Sequence, residues 1–312
     1  MSHEVQKMAY VGQVPWHGLG NKMAAGSSIQ DWTEAAGFTW EAVKSPVVYS
    51  TPSGDLVMPS RHVLHRSDTG HPLAVCSDRY KPVQPAEVMD FFATVVEGLP
   101  SFSLETAGVL REGKKLWALA KSDNTLDFSQ DNISRYLLLA TSYDLTIPTL
   151  IQQTSVRVVC NNTLQFAFDR KGEVRTRVSH ATTFDKDQII NDLALDDDWG
   201  MFSDLVANTA AKGITDNQAK EFFEEVFFPS SVLSTDSSKK KRLAAASEAY
   251  KSSPGADLAS AKGTLWGALN AVTYMADHTG RSKNVEMKLE SGWFGESSSI
   301  KSRALATASA MV

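Results

Sequence analysis

Tyr136-Leu137-Leu138-Leu139-Ala140-Thr141-Ser142-Tyr143 is apolar at both alternating positions, the pattern of a strand covered on both faces. After a break at Asp144 and Pro148, residues 150–159 form a second strand. There Gln152, Thr154, Val156 and Val158 alternate with Gln153, Ser155 and Arg157, so one face is polar and carries a cation. Cys160-Asn161-Asn162-Thr163-Leu164 follows, where asparagine predicts the cap of a short helix bearing Leu164, Phe166 and Phe168.

Upstream of this pair, the periodicity predicts a hairpin of 102–110 and 115–121 around Arg111-Glu112-Gly113-Lys114, with positive φ at the glycine. A polar loop over 123–132 links it to Tyr136. Before the hairpin, Pro85 opens a helix whose Val88, Phe91, Phe92, Val95 and Val96 make one apolar stripe, and Gly98-Leu99-Pro100 stops it. Strands over 40–49 and 56–64 flank a turn at Pro52-Ser53-Gly54-Asp55, and a turn at 67–70 precedes a strand over 72–77. Residues 1–35 are expected to be irregular around Trp16-His17-Gly18-Leu19-Gly20, apart from a short helix from Ser28 to Ala36 capped by Gly37.

Downstream, residues 173–179 add a further strand, and from Asp185 the chain is helical. Asp196-Asp197-Asp198 marks a solvated kink or a helix N-terminus. Thr215 and Gln218 match a capping box, opening a helix with Ala219, Phe222, Phe223, Val226 and Phe227 on one face. That face suits either a core or a subunit interface, with Phe223 and Phe227 as interface candidates. Residues 230–238 are a polar loop, Lys239-Lys240-Lys241-Arg242 begins another helix, and Leu265, Leu269, Val272 and Ala276 line the last long one, ending at His278. The tail is half helical. The fold class is α+β: an antiparallel sheet packed by helices, with a β-rich N-terminal section (1–84), a central helix-plus-sheet core (85–182) and a helical C-terminal section (183–312), as separate sections or all one domain.

The formal net charge of −5 is unevenly spread. Residues 101–182 carry 10 basic and 8 acidic side chains, a balance of +2, whereas residues 183–229 carry 3 and 11, a balance of −8. A polyanion partner is therefore allowed by the local field. Arg111, Lys114, Lys115, Lys121, Arg135, Arg157, Arg170, Lys171, Arg175 and Arg177 recur along the sheet. An ordinary solvated sheet face accounts for them; so does a groove tracking a phosphate backbone, with Tyr143 available to stack on a base.

Other chemistry has little voice here. The chain contains no Walker A loop, GxGxxG, HExxH or GxSxG pattern. His62, His65 and His71 lack a completing carboxylate pattern, so no metal is expected. Cys160 with His180 and Asn161 only sketches a thiol nucleophile. Neither a membrane span nor a signal segment is expected, and the two cysteines suit a reducing compartment. The expectation is a protein without catalytic residues, cofactor or metal.

Several pieces are shared with a known family: Met8-Ala9-Tyr10-Val11-Gly12 with Pro15-Trp16-His17-Gly18-Leu19-Gly20, Arg79-Tyr80-Lys81-Pro82-Val83-Gln84, and Glu105-Thr106-Ala107-Gly108. Val156-Arg157-Val158-Val159-Cys160-Asn161-Asn162-Thr163-Leu164 and Leu265-Trp266-Gly267-Ala268-Leu269-Asn270-Ala271-Val272-Thr273 complete the set. Together they resemble the phage/plasmid-like protein family built on the domain of unknown function nine-three-two. That resemblance implies a phage, prophage or plasmid gene product working in bacterial cytoplasm. The order helix, hairpin, strand, helix is also similar to the core of phage single-strand annealing proteins, the RecT, Redβ and Erf group. This implies ATP-independent binding and annealing of single-stranded DNA in homologous recombination, by a homo-oligomeric ring or filament. The alternative is a phage protein that binds a host protein as an anti-defence or anti-restriction factor, through the acidic block from Asp196 to Glu225.

Overall fold

Local signals start and stop the elements. Ser28 caps α1 (Ile29–Ala36) in a reciprocal box with Asp31, and Gly37 ends it at φ 79°. Before it lie β1 (Val5–Tyr10) and the two-residue β2 (Asn21–Lys22); after it come β3 (Ala42–Thr51), β4 (Gly54–Arg66) and β5 (Pro72–Ser77). Helix α2 (Pro85–Gly98) leads to β6 (Phe102–Leu110), β7 (Lys115–Phe128), β8 (Asp131–Ser142), β9 (Thr149–Arg157), β10 (Asn162–Phe166) and β11 (Arg177–Val178). The helices α3 (Lys186–Asp192), α4 (Leu195–Ala211), α5 (Asp216–Phe227), α6 (Asp236–Ser252), α7 (Leu265–Tyr274), α8 (Val285–Phe294) and α9 (Glu296–Met311) complete the chain. This computed structural model describes residues 5–12, 20–157, 162–166, 177–192, 195–229, 236–279 and 285–312.

The protein is α+β, as its periodicities predict. The strands β3, β4 and β5 form one antiparallel sheet. The other sheet follows the order β10-β9-β8-β7-β6-β1-β2, with β11 paired antiparallel to β9. By contacts the chain divides into two units. The first comprises Met1–Lys121, Leu137–Gln152 and Val174–Leu193; the second comprises Ser122–Tyr136, Gln153–Glu173 and Ala194–Val312.

In the first unit α2 packs on β6, and Val88, Phe91, Phe92 and Val95 have no exposed surface. In the second unit the core gathers Phe202, Phe222, Phe223, Val226, Leu265, Leu269 and Ile300 from the helices, with Ile133 from β8. Phe223 and Phe227 are 0% and 3% exposed. Both are core residues, and neither is available as an interface contact.

Four expectations are corrected. Residues 5–10 are a strand, not irregular chain: β1 pairs antiparallel with β6, placing Met8 opposite Gly108 and Ala9 opposite Ala107. Small residues across the ladder let Met8, Ala9 and Tyr10 all be buried, so no alternation advertises the strand. The polar loop over 123–132 is the far end of β7 and the start of β8, joined at Ser129 and Gln130, both at positive φ (53° and 71°). Paired positive φ is the geometry that matches strand twist, adopted here without glycine. The short helix expected after Cys160 is strand β10, paired antiparallel to β9, with Leu164 opposite Ser155 and Phe166 opposite Gln153. Leu164 and Phe166 are two apart, a strand period; Cys160, Asn161 and Phe168 lie outside the described residues. Finally, α7 is not the last long helix. It passes into a π-helical turn at Met275–Thr279, and α9 follows with Ile300, Lys301, Ala304 and Ala308 buried. Small residues let it pack closely without an obvious apolar stripe.

Trp16-His17-Gly18-Leu19, 230–235 and residues 173–176 of the expected strand also lie outside the described residues, while Arg177 and Val178 form β11.

Candidate functional site

The cations expected to line one groove divide into groups. Lys115 is buried, and its ammonium meets the Asp144 carboxylate at 3.0 Å. Arg135 is 1% exposed; its Nε donates to Gln153 Oε1 at 2.9 Å and its guanidinium sits 5.5 Å from the Trp199 ring. Tyr143 is completely buried and donates its hydroxyl to the Val83 carbonyl at 2.7 Å. These three are corrected: buried side chains present no surface to a phosphate or a base. Lys121 is half-buried and lies 3.5 Å from Glu105. Arg111 and Lys114, in the turn before β7, are half-buried. Arg157 and Arg177 are placed by their backbones alone, opposite Asn162 and Leu150. Arg170, Lys171 and Arg175 lie outside the described residues.

The reason for the burial is local. Residues 143–148 join β8 to β9, and side-chain hydrogen bonds brace that connection. Asp144 accepts from Lys115 on one oxygen and from the Thr146 amide (3.2 Å) and hydroxyl (2.6 Å) on the other. Burial works to raise its carboxyl pKa, but the bonds from Thr146 and Lys115 outweigh it and hold the group below its ordinary range. The Ser142 hydroxyl donates to the Ile147 carbonyl at 2.7 Å and accepts from its amide at 3.1 Å. Tyr80 donates its hydroxyl to the Ser142 carbonyl at 2.8 Å.

The segment Arg79-Tyr80-Lys81-Pro82-Val83-Gln84 is the clamp on this connection. Besides the bonds of Tyr80 and Val83, the Tyr80 ring lies 4.8 Å from that of His180, whose Nε2 is 3.2 Å from the Ile147 carbonyl. Burial lowers the His180 pKa, against an opposing pull from the backbone at Ile147 and Lys81. Gln84 caps α2 through Glu87 and bonds both the amide and the carbonyl of Ala42, at 2.8 and 3.2 Å.

Between these segments lies a cleft of about 530 Å³. Ser77, Arg79 and Tyr80 form one side, Leu145 to Pro148 another, and Ser179, His180 and Ala181 the third. The volume is within the range of small-ligand sites, roughly 300–1,000 Å³. No carboxylate lines it. Arg79 is exposed and, among the described residues, has no ion pair. Leu145 is 45% exposed and sits at φ 64°, a backbone conformation that costs a non-glycine residue of order 1–3 kcal/mol. Such strain persists only where surrounding bonds over-determine it, and the Asp144 and Ser142 bonds do so.

Sequence reasoning missed this cleft. Arg79-Tyr80-Lys81-Pro82-Val83-Gln84 was the available signal, a polar and aromatic run just ahead of a helix start, and Asp144 to Pro148 marked the facing turn.

Other candidates stand as follows. His62 and His71 lie 3.1 Å from Asp78 and 3.0 Å from Glu112, and His65 shares a hydrogen bond with Ser45 at 2.8 Å. Among the described residues no group of three or more His, Cys, Asp or Glu is placed to hold a metal ion, and no helix is long and apolar enough to cross a membrane. Cys160 lies outside the described residues, so its pairing with His180 has no geometry. The acidic block is partly neutralised by its own neighbours, Asp216 pairing with Lys251 at 2.8 Å and Glu224 with Lys239, while Asp198 is buried.

A family model described as a domain of unknown function (DUF932) matches residues 72–293. That span takes in the Arg79 to Gln84 clamp, the Asp144 connection and His180. Neither a curated protein nor a solved structure was found to match the chain.

Proposed function

The chain belongs to the DUF932 family, whose name carries no activity, and from the geometry of its first unit we propose that it binds single-stranded DNA and anneals it without ATP. One observation carries this reading: the braced connection over 143–148 is flanked by cations without ion pairs. Arg79 lines the cleft on one side. Lys114 accepts the Tyr143 amide at its carbonyl (2.8 Å), and among the described residues its ammonium has no carboxylate partner. Cations left available beside an apolar side chain suit a strand whose phosphates are held and whose bases stay accessible.

The test is fluorescence anisotropy of a labelled single-stranded oligonucleotide over a range of salt. Affinity falls linearly with log salt, with a slope of roughly −0.7 per phosphate neutralised on a single strand. Arg79→Ala with Lys114→Ala flattens the slope by about 1.4 without altering base preference. Lys115, tied to Asp144 in the interior, is the wrong partner for that experiment. Absence of salt-sensitive binding by the parent protein removes the proposal.

A second reading, attachment to another protein such as a host factor, is favoured by the far end of β3 and β4. Val48, Tyr49, Leu56, Val57 and Met58 are each 44–60% exposed there. Val48 faces Val57 and Tyr49 faces Leu56 in the ladder, so both sides of the ribbon are apolar. The only charge from Ser45 to Ser60 is Asp55, which gives a polyanion nothing to hold. Replacing Val57 and Leu56 by serine leaves DNA binding intact if the first reading holds, and abolishes partner capture if the second does.

A further inference from the structure

We propose that the cleft bounded by Arg79, Leu145 and Ser179 is a nucleotide-unit site, taking one phosphate and the sugar or base attached to it. This deepens the strand-binding reading and rests on it for the class of ligand, although the site can be tested alone.

The argument begins with which groups are free. The Ser179 hydroxyl accepts from the Ala181 amide at 3.2 Å, leaving its proton to donate. Ser77 bonds through its carbonyl to Lys44 and the Tyr80 amide, and its hydroxyl is uncommitted among the described residues. The Arg79 guanidinium adds a planar fork, the geometry that fits two oxygens of a phosphate at once. Three donor groups and no carboxylate line the cleft. A cation is thus poorly matched and an oxyanion well matched.

The remaining wall is apolar: Leu145, Ile147 and Pro148. An inorganic anion has no use for that wall, whereas a nucleotide has an apolar face beside its phosphate. Leu145 is the telling residue. An exposed leucine in the left-handed region loses backbone stability without gaining burial. The bonds of Asp144 and Ser142 hold it there, in a position where a ligand's flat face would cover it. His180 supplies the floor. Its ring meets Tyr80 at a tilt and burial lowers its pKa, which disfavours the charged form, so the anion contact belongs to Arg79.

The test uses the full chain and isothermal titration with thymidine monophosphate, thymidine and inorganic phosphate. Thymidine monophosphate should bind more tightly than either fragment. Arg79→Gln should weaken it on the order of tenfold, the loss of one charge-assisted contact. Leu145→Gly relieves the left-handed strain and so folds at least as well as the parent. It should weaken the monophosphate and leave inorganic phosphate unchanged. If the parent ignores thymidine monophosphate, or if both variants bind it as the parent does, the cleft is not a nucleotide site. Oligonucleotide titration separates the two readings. A strand that binds while the monophosphate does not overturns the cleft and leaves strand binding standing. A monophosphate that binds while the strand does not supports the cleft and overturns strand binding.

Discussion

The Lys115 ammonium and the Asp144 carboxylate meet at 3.0 Å with 1% and 12% of their side chains exposed. Lys114, one residue earlier, shares the charge but not the fate: it closes the turn before β7 and stays half-buried, whereas Lys115 opens the strand and enters the interior. The pair contributes less to net stability than its short distance suggests, since both ions are desolvated, but removing one partner strands the other in the interior.

Lys115→Met should therefore cost about 3–5 kcal/mol in urea unfolding. Adding Asp144→Asn should recover part of that loss, so that the two substitutions are strongly non-additive. Additive costs would mean that the ions do not depend on each other.

Phe92 has no exposed surface and meets Phe91 edge-to-face, with ring centroids 5.3 Å apart. Phe92→Ala should cost about 3–5 kcal/mol, measured from the urea midpoint at constant m-value. A loss below 1 kcal/mol would mean that α2 is not held on β6 by this side chain.

Gly267 lies in the first turn of α7, where a Cβ would stand 2.0 Å from the Ala261 carbonyl oxygen. Alanine normally favours a helix over glycine, by about 1 kcal/mol. Here Gly267→Ala should instead destabilise, by roughly 1–3 kcal/mol or more, as overpacking against backbone does. A stabilised variant would refute the close approach.

Among the groups that shift on folding, His180 and Asp144 are the two substantially buried ones that shape the acid response. His180 has its folded pKa below the ordinary 6.5. Between those values the unfolded chain binds more protons, so stability is full above pH 6.5 and falls as pH drops toward the folded value. The Asp144 carboxyl is depressed below 3.8, so its contribution is present above that pH and is lost as pH falls through its lower folded value. Urea midpoints measured against pH should show a loss below pH 6.5 followed by a further loss in the carboxylate range, and His180→Gln should flatten the first alone.

Much of the fold was legible because its signals are local. Ser28 with Asp31, Thr215 with Gln218, Pro85 and Gly37 each act within one turn, and a reader of the chain finds them without knowing the partners. The site was not legible in that way. Its three walls come from residues near 79, 146 and 180, and its key bonds join Tyr143 to Val83 and Lys115 to Asp144 across long stretches of chain. Recurring cations suggested one basic face, yet Lys114 stays in the turn while Lys115 opens β7 and is buried against Asp144. Arg135 resembled a surface residue until Gln153 and Trp199 accounted for it. Leu145 adopts a conformation usually left to glycine, so no residue type announced its turn.

The division of the chain has a consequence for how the protein is made. Neither unit is a continuous stretch: the first is complete only when Val174–Leu193 has followed Leu137–Gln152, and the second takes up Ser122–Tyr136 long before its helices exist. A nascent chain emerging from the ribosome therefore cannot finish one unit before starting the other. Strands β7 and β8 must wait with half their length uncovered. Cutting the gene within residues 122–193 yields fragments that each lack pieces of both units. A gene divided there should need both co-expressed halves to complement one another before either unit is whole.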